Sequence, residues 1–391
     1  MILRMHKRLP AKKKETGPET IQAFHRYASI CILVLIAGVS GYFSWRLVKP
    51  RMDFYNNLWA PVYLLVHGQS PYDTSSLHPS LPALWFPMSV GFFSPLGFLS
   101  EGVATKVWFV FNIIELSVVI LLSLGRPLKF HLTAIVGFLI FLFPPLLNHT
   151  LLGQISITAM FCLILSVFFA EKERNWVAAF FLALGLTKPQ LGFLAFPGLL
   201  FFYFQRGGLK AAFRFGLQIS LMVILTVLPL FIITPQWLPD WLTSIRSNST
   251  WLHPSLFSIL REVVGAWAYI PWGIAALIGL AICYRLWKEL SPFVAMLWSL
   301  ALTTILAPYV WSWDFVLLLP IWVYTFAKVD WKRRLLLLGA YWIGWLGFFC
   351  VQLLANGINY LFWWAPLWYL GSVLLVTVWR QDRPVEQSRT A

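Results

Sequence analysis

An all-α bundle of membrane helices is the fold class this sequence predicts, and three observations predict it. Hydrophobic residues make up 59% of 391 positions and charged residues only 12%, where a soluble domain carries about 25% charged residues. Apolar runs of helix length follow one another from residue 28 almost to the C-terminus. No hydrophilic run is long enough to fold as a soluble domain, so any site must be built from helix ends and loops. The 22 Trp and 33 Phe fit aromatic belts at the two membrane interfaces.

Taken in order, residues 1–27 form a basic tail with Arg4, Lys7, Arg8, Lys12, Lys13, Lys14 and Arg26, suited to lie near anionic headgroups. The first apolar run has no small-residue cleavage site, so it reads as a retained helix rather than a signal peptide. A span needs about 20 residues. The runs near 28–46, 103–124, 131–147, 155–170, 175–188, 190–205, 211–232, 265–284, 292–308, 313–328, 335–354 and 361–379 give about twelve, several of them short. One membrane domain over 28–379 follows, with both termini, 1–27 and 380–391, cytoplasmic. No internal repeat is visible.

Segment 82–99 is apolar but interrupted by Pro82, Pro87 and Pro95. If it does not span, most of the 30 Lys and Arg fall on one side, which the positive-inside rule makes cytoplasmic. Arg46, Lys49, Arg51, Lys106, Lys188, Arg246 and Arg261 remain outside. The segment is therefore expected to be re-entrant or to lie in the interface. The long external loop 47–102 then carries short interfacial helices, and 233–264 forms a second large external loop. The same bias accounts for the net charge of +15 without nucleic acid. Four Cys lie in apolar runs without CxxC spacing, which gives neither disulfide nor metal site.

Few residues are left to carry chemistry. Asp53 opens an amphipathic stretch beside the membrane, with Arg51, Tyr55 and Asn56 placed to orient it. The inert alternative is a helix cap; partial burial at the boundary would instead raise its pKa toward that of a useful base. His149 and Gln154 flank Gly153 in a polar joint between two runs. They suit an anion and a hydrogen-bonding ligand, or simply a helix–helix turn. Lys188 sits between two short runs on the outer side, where a lipid phosphate would justify it and snorkelling is the alternative. In Pro308–Asp314 the faces of Trp311 and Trp313 suit sugar rings, and Asp314 suits a sugar hydroxyl or a cation; an aromatic belt with a capping Asp is the plainer reading. Glu115 lies inside an apolar run, as a buried contact to a neighbouring helix would. Walker, GxGxxG, HExxH and DxD patterns are absent, so no nucleotide cofactor or metal is expected.

Asp53-Phe54-Tyr55, the GQSPYD run from Gly68 to Asp73, Phe86-Pro87, Pro95-Leu96, Gly153-Gln154, Lys188-Pro189 and Pro308 to Trp313 stand in one order across roughly 50–320. Each is weak alone. As an ordered set they resemble glycosyltransferase family 87 of the GT-C superfamily, which contains polyprenol-phosphate-mannose-dependent mannosyltransferases. The resemblance implies a GT-C-type bundle and an inverting hexosyltransferase whose site faces the extracytoplasmic side. It implies a polyprenyl-phosphate sugar as donor and a lipid or glycan as acceptor. Asp53 maps onto the acidic residue of the first external loop. Lys188, His149, Arg246 and Arg261 become candidates for the donor phosphate, and Tyr55, Tyr72, Asp73, Gln154, Trp311, Trp313 and Asp314 for sugar and acceptor. The family commonly has His near the last stretch, where this chain has Trp313-Asp314. Two other classes compete: a transporter or lipid flippase, which predicts ionisable residues deep in spans and repeat symmetry, and a ligase moving a preassembled glycan.

Overall fold

The structure, a computed structural model, describes residues 53–79, 81–125, 130–246 and 252–378, with scattered helical positions between 23 and 46. The N-terminal tail through residue 22, residues 47–52 with Arg51, and residues 379–391 lie outside the described residues. The first expected span is therefore described only at scattered positions, and the C-terminal tail not at all.

Every described element is a helix, and among the described residues there is no strand. A π-helical turn, Tyr55–Trp59, follows Asp53 and runs into α1 (Ala60–Val66). Pro61 stands at the start of α1 and lacks the N–H that a regular ladder would need there. The ladder widens just before it, with the Ala60 amide reaching Tyr55 O. Tyr55, Trp59, Tyr63 and His67 stack at i,i+4 spacing down one face, with ring centroids 4.1–5.4 Å apart.

Segment 82–99 folds as α2 (Pro87–Phe93) and a 3₁₀ turn, Ser94–Phe98. Seven helical residues reach about 10 Å, well short of a hydrocarbon core of about 30 Å. The prolines break the apolar run as expected. The short helix instead lies against the bundle: a Cβ on Gly91 would stand 1.8 Å from Thr226 O.

The bundle follows as α3 (Glu101–Leu124), α4 (Phe130–Phe141), α5 (Pro144–Leu152), α6 (Ser156–Glu171), α7 (Asn175–Gly185) and α8 (Ala195–Ile233). After these come α9 (Trp237–Arg246), α10 (Leu256–Val264), α11 (Tyr269–Glu289), α12 (Pro292–Leu306), α13 (Leu319–Lys328), α14 (Trp331–Leu354) and α15 (Trp364–Val378). Among the described residues five helices are long and apolar enough to cross a membrane, six if the halves of 132–152, bent by 55°, count as one. This is fewer than the twelve expected. Pro144, Pro292 and Pro320, together with the turns at Lys172–Arg174 and Leu186–Pro189, cut the apolar sequence into shorter helices. Among them are α6 with 16 residues, α7 with 11, α12 with 15 and α13 with 10. The expected spans 190–205 and 211–232 are the two arms of α8, separated by non-helical backbone at Gly207 and Gly208.

Two apolar clusters organise the packing. The larger fills the bundle; the smaller joins the π turn, α1 and α2 to Trp108, Ile155, Leu230 and Trp237. Glu115 makes the interhelix contact its position suggests: Thr158 Oγ1 on α6 donates to its Oε2 at 2.6 Å.

Candidate active site

The site forms where the ends of several helices converge. The α6–α7 hairpin leaves from Ser156 and returns the chain to Lys188, so Lys188 Nζ lies 3.2 Å from Ser156 Oγ. Close packing lets the hairpin do this: a Cβ on Gly185 would stand 2.7 Å from the Leu163 side chain. From the far side, a 3₁₀ helix over Ser312–Leu318 carries Asp314 inward. Asp314 Oδ1 lies 2.5 Å from Lys188 Nζ and accepts from Ser156 Oγ at 2.5 Å, while Oδ2 accepts from the Trp311 amide at 2.9 Å.

Gln154 bridges this cluster to Asp53. Its Nε2 donates to Asp53 Oδ2, and its Oε1 accepts from Lys188 Nζ at 3.5 Å. Gly153 makes the bridge possible. Its φ is +69°, and a Cβ there would stand 2.7 Å from Phe54 Cβ; glycine alone accepts both the left-handed backbone and the close approach. Its carbonyl is held by Trp108 Nε1 at 3.0 Å, and Trp108 stacks on Phe54 with centroids 5.6 Å apart. Asp53 and Gln154 are thus fixed from both sides.

Burial raises the Asp53 carboxyl to about pH 6; Lys188 and the Gln154 hydrogen bond pull it down, and Asp314 pushes it up. A carboxylate with that pKa is ionised near neutrality and still basic enough to accept a proton.

Asp53, Gln154 and Lys188 all line one cavity of about 1060 Å³. Trp311 and Trp313 line it too, stacked with centroids 4.8 Å apart and planes 14° from parallel. Behind them His253 packs on Tyr309 and Trp311, at 4.1 and 4.5 Å between centroids. Burial lowers the His253 pKa to about 4, with Asp314 opposing and Arg261 and Lys188 assisting, so this ring is neutral near pH 7.

Other expected residues stand back from the cavity walls. Asp314 is fully buried, both its oxygens taken by Lys188, Ser156 and the Trp311 amide. His149 is buried, with Nε2 accepting from the Ile157 amide at 3.1 Å, which pins the α5–α6 joint. Tyr55 OH donates to Leu77 O and Tyr72 OH to Trp85 O, at 2.8 and 2.9 Å. Both tie the loop before α2 into place. Asp73 is exposed and accepts from Ser75. Arg246 is exposed at the end of α9 and Arg261 is half-buried on α10; neither lines the cavity, although Ile245, next to Arg246, does.

Sequence reasoning passed over Ser156, Asn57 and Asn359 as site residues. Asn57 follows Asp53 by four positions, on the same helix face, and spacing could have found it. It lines the cavity and accepts from the Leu84 amide at 2.9 Å. Asn359 lines it from just before α15, exchanging hydrogen bonds with the Ser312 amide and Oγ at 3.1 and 2.9 Å. Thr187 Oγ1, buried on the cavity wall, has no hydrogen-bond partner among the described residues.

No curated protein and no solved structure matches the chain. A family model does: that of glycosyltransferase family 87, over residues 85–310. The match takes in Gln154, Ser156 and Lys188; the Trp311–Asp314 turn lies just past its C-terminal end, and Asp53 lies well before its N-terminal end. Because it covers more than half of the chain, the protein belongs to glycosyltransferase family 87 and is a membrane glycosyltransferase.

Proposed function

We propose that this glycosyltransferase moves a hexose, mannose by resemblance, from a polyprenyl-phosphate donor to a lipid or glycan acceptor on the extracytoplasmic face of the cell membrane. Both termini are then cytoplasmic. The observation that carries the reading is Asp53. Its carboxylate, held near pH 6 by burial, lines the same large cavity as Lys188 and the stacked indoles of Trp311 and Trp313.

In this mechanism Asp53 takes the proton of an acceptor hydroxyl. The oxygen attacks the anomeric carbon on the face opposite the phosphate, and the configuration inverts. The transition state is oxocarbenium-like, as in glycoside cleavage. The bond from the anomeric carbon to the phosphate oxygen breaks, and polyprenyl phosphate leaves with the electron pair. Lys188 holds the negative charge that develops there. Gln154 orients Asp53, and Asp314 and Ser156 hold Lys188 in place. Trp311 and Trp313 offer flat apolar faces to a sugar ring. Arg246 and Arg261 supply positive charge on the approach for the donor; His149, Tyr55 and Tyr72 act by fixing the joints on which the site is built. Asp73, on the exposed loop outside the cavity, meets the acceptor in this reading only as it approaches from outside.

The test is transfer of radiolabel from polyprenyl-phosphate-mannose to extracted lipids, in membranes carrying wild type or Asp53→Asn. Label with wild type alone supports donor class and base together. Label with both variants removes Asp53 as the base. Label with neither removes mannose as the sugar, and the same assay then runs through other polyprenyl-phosphate hexoses.

A further inference from the structure

A second cavity, of about 650 Å³, lies at the other end of the α6–α7 hairpin from Lys188. The 16 residues of α6 separate the two by about 24 Å, so this notch sits toward the opposite membrane boundary. It is framed by the Glu173–Val177 turn and by the second arm of α8, from Arg214 to Leu221.

The polar end of the notch is built from donors. The N-terminus of α7 carries no side-chain cap, so its first amides lack an intrahelical acceptor and make a site for an anion. Asn175 accepts from Tyr203 OH at 2.8 Å through Oδ1, which leaves its NH₂ as a donor. Gln218, 8% exposed, lines the notch with no hydrogen-bond partner among the described residues. Most of the residue is buried while its side chain lines the notch, so its amide is held in place and a ligand oxygen would supply it with a partner. Arg174 and Arg214 flank these groups, with no ion pair among the described residues. The neighbouring cations are engaged elsewhere: Lys172 lies 3.9 Å over the Phe168 ring and Arg206 4.3 Å over that of Phe202. Glu173 is the one carboxylate at the rim.

The other end is apolar. Leu217 and Leu221 follow one another up the exposed face of α8, 56% and 42% exposed, and Trp176 is 53% exposed beside them. On a membrane helix that face meets acyl chains, and an exposed Trp at a helix start marks the headgroup level. The notch is therefore amphiphilic: anion donors open directly onto a lipid-facing stripe.

We propose that this notch binds an anionic phospholipid, its phosphate between Arg174, Arg214, Gln218 and the α7 N-terminus, with one acyl chain along Leu217 and Leu221. Basic pockets between membrane helices recognise lipid headgroups in this way. A free phosphate would use the same donors and leave the leucine stripe unused.

The test is native mass spectrometry of the full-length protein, released from nanodiscs containing phosphatidylglycerol or phosphatidylcholine. One phosphatidylglycerol per chain is expected to survive release, at least tenfold more often than phosphatidylcholine. Arg174→Gln with Arg214→Gln should lower that retention at least tenfold. Lys288→Gln with Lys332→Gln, an equal loss of charge elsewhere, should leave it unchanged. Gln218→Met should lower it severalfold, and serves if the double arginine variant fails to fold. Equal retention in the arginine variant, or equal retention of phosphatidylcholine, would overturn the proposal. So would displacement of the lipid by millimolar inorganic phosphate, which would make the notch a site for a free anion.

Discussion

Lys188 and Asp314 stand 126 positions apart in sequence and 2.5 Å apart in space, with Ser156 hydrogen-bonded to both. Both side chains are buried. The protein thus supplies an internal anion to a lysine that lines the active-site cavity, and a substrate phosphate arriving there must share that lysine with Asp314. The pair also brackets Asp53: Lys188 lowers its pKa and Asp314 raises it.

Asp53→Asn should lower transfer about 10²–10⁴-fold, the usual worth of a general base, with the fold intact. Helical circular dichroism and gel filtration check the fold, and label transfer checks the activity. Near-normal turnover would remove Asp53 from the chemistry.

The pH profile carries a sign. A base works only when deprotonated, so kcat/KM should rise with pH through about 6 and level off above it. Asp314→Asn removes the charge that raises the Asp53 pKa and should move that limb to lower pH. Lys188→Met removes the charge that lowers it and should move the limb to higher pH. Shifts in the same direction for both variants would mean that the limb belongs to another group.

Breaking a buried ion pair from one side costs about 3–5 kcal/mol, because the partner stays charged and alone. Lys188→Met and Asp314→Leu should each lower thermal stability strongly, and the double variant should recover most of the loss. Donor KM should stay raised in the double variant, since the lysine is still missing. Recovery of donor affinity together with stability would reduce Lys188 to a structural part.

Gly153→Ala places a methyl group against Phe54 Cβ at 2.7 Å and strains a φ of +69°. A strained backbone position costs about 1–3 kcal/mol. The substitution should lower kcat more than it raises KM for either substrate, because it moves Gln154 relative to Asp53. Steady-state kinetics with both substrates varied would check this. An unchanged kcat would show that the Gln154 bridge does not set the base.

Much of the site could be read from the chain because polar residues are scarce in it. Asp53, Gln154, Lys188 and Trp311 stood out against apolar surroundings, and the structure gathers all four around one cavity. The roles of Asp314 and His149 were harder to read. A carboxylate and an imidazole look equally available for a ligand in sequence. Only packing showed Asp314 turned to Lys188 and His149 bonded to the Ile157 amide. Ser156 and Asn359 carried no signal, since a lone Ser or Asn at a helix end is ordinary capping chemistry.

The sequence by itself determined the membrane class, the helical secondary structure and the break of 82–99 into short helical pieces. These follow from local quantities: apolar length, proline placement and the near absence of charge. The tertiary structure alone decided which helix ends meet, and hence that Asp53, from before the bundle, faces Lys188 from its middle and is biased by Asp314 from near its end. Apolar periodicity fixes that a face is buried but not against what, because one leucine-rich surface packs about as well as another. The specific pairing came from buried polar groups such as Lys188, Asp314 and Ser156, which cost free energy when buried without a partner and so favour the arrangement that pairs them.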